Sequence, residues 1–148
     1  ECRMSGFLIA LLSGALMSIQ GVFNTQVTKV TGMWVSNAWV QLSAFVVSAG
    51  LWMFMGRDSV LALGKVEPKY LLLGGVFGAG ITWTVIKGME QLGPAKATLC
   101  IVVTQVAVSY LIELFGMFGA DKQMFEWRKL IGIGIAVIGL VIFEWETK

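Results

Sequence analysis

The sequence predicts an all-α integral membrane protein, a bundle of five transmembrane helices, and three observations predict it. Of its 148 residues 57% are hydrophobic and 14% charged, at a mean hydropathy of +0.80, whereas a soluble domain carries about 25% charged residues. Those few charges separate five apolar runs of 14 to 27 residues, the lengths of helices that cross hydrocarbon. No run shows the period-2 alternation of a membrane β-strand, and six Trp with eighteen Gly suit a helix bundle.

The runs read in order as one membrane domain, residues 1–148, with spans near 5–28, 34–55, 70–87, 97–119 and 129–146. Between Arg3 and Lys29 lie 25 uncharged residues, and between Lys29 and Arg57 another 27. At about 1.5 Å per residue each crosses a core of about 30 Å. The first run is too long for a signal peptide, lacks an Ala-x-Ala pattern and leads into further spans, so it is expected to be retained. The third, Tyr70 to Ile86, has 17 residues, and the fourth, Ala97 to Gly119, contains one acid, Glu113. The fifth, Leu130 to Phe143, has only 14, with Arg128 and Lys129 snorkelling at its entry and Trp145 anchoring its exit. Gly32 and Gly93-Pro94 mark two tight connections. In the longest connection, Gly56 to Lys69, Ser59 to Gly64 reads as an interfacial helical turn capped by Asp58.

Several classes are excluded. The net charge of +2 is too small and scattered for nucleic acid. There is no His, and Cys2 and Cys100 lie far apart, which argues against a metal site and a disulfide. No cofactor motif is present: Gly132-x-Gly134 lies in an apolar run with no preceding strand. No nucleophile–base set or pair of buried acids marks an enzyme. The partners expected are the lipid bilayer and a small-molecule solute.

Polar side chains within a bilayer are costly and face protein or water, so their angular positions are informative. Ser13, Gln20 and Asn24 share a face of the first helix, and Asn37 and Gln41 share one of the second. Gln105, Ser109 and Glu113, with Thr98 and Gly116, fall within a sector of roughly 80° on the fourth. Three such stripes point to a hydrated cavity, with interhelical hydrogen bonding as the plainer alternative. Burial of Glu113 would disfavour its charged form, so proton and cation would compete for it. Gly74 and Gly78 of the third helix, and Gly132, Ala136 and Gly139 of the fifth, form small faces suited to helix packing.

Five spans place the termini on opposite sides, with seven Lys and Arg on the N-terminal side and four on the other. That bias favours an N-terminus in the cytoplasm, and its smallness also admits dual insertion. Taking about 1.5 Å per residue, Gln20 and Asn24 lie about 5 and 10 Å beyond mid-span on the far side. Asn37 and Gln41 lie at similar depth, and Glu113 roughly 8 Å toward the N-terminal side. An inverted partner would bring its amides level with Glu113.

The segment Gly14-Ala15-Leu16-Met17-Ser18-Ile19-Gln20-Gly21-Val22-Phe23-Asn24 resembles the first-helix signature of the YdcZ family, small five-helix proteins of the drug/metabolite transporter superfamily. Thr104-Gln105 through Ser109 and Glu113 to Phe118-Gly119 resembles its fourth-helix pattern, and Leu92-Gly93-Pro94-Ala95 its Leu-Gly turn. Glu113 stands where the family usually has Asp, and Thr104 where it commonly has Gly. The resemblance covers essentially the whole chain. It implies one half of a transporter that works as an antiparallel homodimer, or as a heterodimer with an inverted relative, in the bacterial inner membrane. The function expected is secondary transport of a small polar or cationic organic solute by alternating access, proton-coupled through Glu113. An ion or small-solute channel, and a non-transporting packing subunit, are the alternatives.

Overall fold

The computed structural model describes residues 2–56 and 58–145, with side chains from residue 5 onward. Arg57 and Lys148 of the charge count, the side chains of Cys2 and Arg3, and the end of the fifth span at 146 lie outside what is described. The described residues form five α-helices: α1 Cys2–Thr31, α2 Met33–Leu51, α3 Gly74–Leu92, α4 Pro94–Phe115 and α5 Trp127–Glu144. No strand occurs among the described residues. Among the described residues four helical segments are long and apolar enough to cross a membrane: Ser5–Thr31, Met33–Gly56, Lys69–Leu92 and Pro94–Phe115. The 18 residues of α5 carry Arg128, Lys129 and Glu144 near their ends, and this helix falls outside that group.

The chain divides into two compact units, Glu1–Gln91 and Leu92–Lys148. In the first, α1 ends because Gly32 takes φ 85°, a left-handed value natural to glycine. Its N–H still closes the last turn on Thr28 O at 2.8 Å, and its carbonyl receives Ser36 N at 3.1 Å. One residue therefore ends α1 and starts α2. After α2, a π turn spans Trp52–Gly56 and a 3₁₀ turn Val60–Lys65. The helical turn expected there is present, but its N-cap is Ser59, without a side-chain cap bond. Asp58 does not cap it; its carbonyl instead accepts the Trp52 indole N–H at 2.9 Å. A second 3₁₀ turn, Lys69–Leu73, leads into α3.

Gly21 explains how closely α1 meets α3. A Cβ placed there would lie 2.5 Å from Met89 Cε, 2.9 Å from its sulfur and 3.4 Å from Val85 Cγ1. Met89, 4% exposed, fills the groove a side chain would block.

In the second unit, Pro94 opens α4 at a position where its missing N–H costs nothing. The helix closes at Gly116, in the left-handed region at φ 64°, ψ 41°. The fourth span was expected to reach residue 119; it ends four residues earlier, at Phe115. The apolar composition continues into a 3₁₀ turn, Met117–Gly119, but Phe118 and Gly119 take positive φ, 56° and 84°, through which a right-handed α-helix does not continue. Glu113 therefore sits in the last turn of α4. Past the break, Gln123 N returns to Glu113 O at 2.9 Å, and α5 starts at Trp127, its ring edge-on to Phe125 at 5.2 Å.

Among the described residues the buried apolar side chains are Ile86, Met89, Ala97, Val103 and Tyr110 alone. Phe7, Leu8, Phe45, Phe77, Ile135 and Ile142 are all exposed. A chain folded in water at this size would hide most of its apolar surface. Hydrocarbon solvates it as well as a protein core does.

Candidate functional site

Two polar groupings form, one in each unit. In the first, α2 turns its amides toward α3. Asn37 Nδ2 donates to Ala79 O at 3.1 Å, and Gln41 Nε2 donates to Thr82 Oγ1 at 3.1 Å. Thr82 in turn donates to Gly78 O at 3.0 Å. The orientation of both amides follows from these partners. Ala79 O can only accept, and the Thr82 hydroxyl has committed its proton, so each amide must present its NH₂. Their oxygens consequently face elsewhere. Asn37 Oδ1 is buried and has no hydrogen-bond partner among the described residues.

A serine hydroxyl joins α2 to α1, on a carbonyl that a threonine of α1 also uses. Ser36, fully buried, donates to Asn24 O at 3.2 Å, and Thr28 donates to the same carbonyl at 2.8 Å. Asn24 thus meets α2 through its backbone, with its side chain half-exposed. Ser13 and Gln20 are exposed on α1 and bond to none of the described residues.

In the second unit a cleft of about 620 Å³ opens between α4 and α5. Gln105, Ser109, Tyr110 and Glu113 wall it from α4, and Lys129, Gly132 and Ile133 from α5. The four-residue spacing of Gln105, Ser109 and Glu113 puts them in one row. Tyr110, buried at 6%, holds α5 in place: its hydroxyl accepts Glu126 N–H at 3.1 Å and donates to Glu126 O at 3.4 Å. Lys129 Nζ lies 3.8 Å from Glu113 Oε2, 4.0 Å from Glu126 Oε1 and 5.7 Å from the Tyr110 ring centre. The Glu113 side chain is 49% exposed, so within one chain it borders an open cleft and is not enclosed.

The expected site residues therefore fall into three sets. Asn37 and Gln41 come together on α3, Gln105, Ser109 and Glu113 come together in the cleft, and Ser13, Gln20 and the Asn24 amide reach neither. Of the expected packing residues, Gly78 faces Gln41, with its Cβ position 4.0 Å from Oε1. Gly132 lines the cleft, and Gly74, Gly132 and Gly139 would meet nothing within 4 Å. Ala136 is half-exposed. Three participants escaped sequence reasoning. Lys129 was assigned to the membrane surface, Tyr110 lay off the polar stripe, and the Ala79 carbonyl belongs to a face read as packing.

The described residues are those of a multi-pass helical membrane protein with a polar cleft between α4 and α5. Residues 5–142 match the family described as "Putative inner membrane exporter, YdcZ", and the chain belongs to that family. It is a multi-pass protein of the inner membrane. No curated protein and no solved structure matches it.

Proposed function

We propose that this chain is a secondary transporter that exports a small polar or cationic organic solute by alternating access, with Glu113 as the group that binds solute or proton. The observation carrying this reading is the α4–α5 cleft, in which three polar side chains at helical spacing end on a carboxylate. Amides and hydroxyls orient a solute by hydrogen bonds, while a carboxylate at the mouth of an apolar passage selects positive charge. Export then needs the cleft to face each side in turn, and two inverted copies rocking about a shared axis provide that.

The working unit in this proposal is an antiparallel pair, with α5 as the fifth span of each copy. Inversion brings Asn24, Asn37 and Gln41 of one copy level with Glu113 of the other at about 1.5 Å per residue. The small faces at Gly74 and Gly139, open within one chain, are suited to close approach by a second.

A thermal-stabilisation screen of the purified chain against small organic cations and neutral polar solutes tests the assignment. Cations should raise the melting temperature of the unsubstituted chain and leave Glu113→Gln unmoved. Equal stabilisation of both would remove Glu113 from the site.

A further inference from the structure

The cleft already holds a cation of its own. Lys129 extends its ammonium between two carboxylates and an aromatic ring, at 3.8 Å from Glu113, 4.0 Å from Glu126 and 5.7 Å from the centre of Tyr110. Carboxylate oxygens together with an aromatic face are the chemistry that recognises an ammonium group. Neither carboxylate is within 3.5 Å, so the lysine is committed to neither by a hydrogen bond. The two distances are nearly equal, so a small rotation of the four-carbon stem moves the ammonium off Glu113 while it keeps Glu126 as partner. The backbone of Glu126 is anchored beside the cleft, because the buried Tyr110 hydroxyl meets both its N–H and its carbonyl.

The lysine side chain is 38% exposed and the two acids 49% and 53%. Exposed ion pairs of this kind bind weakly, which suits an exchangeable contact better than a structural one.

We infer that Lys129 is a tethered stand-in for the solute: it occupies Glu113 when the cleft is empty and passes to Glu126 when a primary ammonium compound takes its place. This rests on the reading of the cleft as the solute site, and it narrows the solute to molecules bearing an ammonium group on an alkyl stem. Such a solute presents to Glu113 the same group that Lys129 does. Like charges cannot share one carboxylate at this range without mutual repulsion, so arrival of the solute drives the lysine to its second partner. Glu113 then has a cationic partner in both states.

Equilibrium binding of n-butylammonium, which reproduces the lysine side chain, to the purified full chain tests this. Lys129→Met removes the competitor and should bind the probe about tenfold more tightly than the unsubstituted chain. Glu126→Gln removes the lysine's alternative partner, leaves it on Glu113, and should bind about tenfold more weakly. Lys129→Arg keeps the charge and should stay near the unsubstituted value. Opposite shifts in the first two variants are the signature, since general damage to the cleft weakens both. Shifts of the same sign, an unchanged constant in Lys129→Met that remains helical and monodisperse, or no binding by any form would each overturn the inference. Opposite shifts without flux across liposomes would leave it standing and remove transport. Flux of the probe without the shifts would do the reverse.

Discussion

Asn37 shows how a residue can be legible in sequence while its role is not. Its place on the polar face of α2 follows from spacing alone, but its partner, the Ala79 carbonyl, belongs to a face that reads as smooth packing. Main-chain acceptors carry no sequence signal. The orphaned Oδ1 leads to a prediction. Losing one hydrogen bond and one unsatisfied acceptor together is close to neutral, so Asn37→Leu should change unfolding stability in detergent by less than about 1 kcal/mol. Asn37→Asp sets an oxygen against the Ala79 carbonyl and should cost more. A loss of several kcal/mol in Asn37→Leu would mean that Oδ1 has a partner in the native protein. Gly21 behaves differently. Its neighbour is the flexible end of Met89, which can yield to one methyl group. Gly21→Ala should therefore be tolerated, while Gly21→Leu, which overfills the groove, should lower stability by about 1–3 kcal/mol. Tolerance of both would show that α1 and α3 are not in close contact at this point.

At the scale of the element, the starts and stops that depend on glycine and proline were legible, and those that depend on apolar composition were not. Gly32 and Gly93-Pro94 divide the helices where expected because their backbone preferences are local. The end of α4 was misplaced because Gly116 to Gly119 remains uncharged and apolar, and hydropathy does not register a left-handed turn. Glu113 moved with that boundary, from inside a span to the last turn of its helix. Gly116 accounts for the closure: its positive φ suits glycine, and a Cβ there would lie 3.1 Å from Lys122 Cβ. Gly116→Ala should destabilise the α4–α5 unit by about 1 kcal/mol or somewhat more. Hydrogen exchange at Gln123, whose N–H bonds Glu113 O, reports this directly. Unchanged protection there would remove the turn from any part in positioning Glu113. Lys129 lies 16 residues from Glu113 in sequence, and no periodicity connects residues on two helices across a loop.

For the whole molecule, the membrane-embedded helical fold was legible from charge spacing alone, because hydrocarbon admits few alternatives. The assembly was not, since it depends on surfaces that a single sequence does not pair. With Cys2 and Cys100 replaced by Ser, cysteines at 24 and 113 should cross-link between chains in an antiparallel pair. Bonds forming only within one chain, or none, would contradict the inverted arrangement. The most direct test of the account is flux of a small ammonium solute out of liposomes against an inward-directed proton supply. The account predicts solute efflux driven by the proton gradient with the unsubstituted chain and none with Glu113→Gln. Gradient-driven flux that survives Glu113→Gln at its original rate would contradict it.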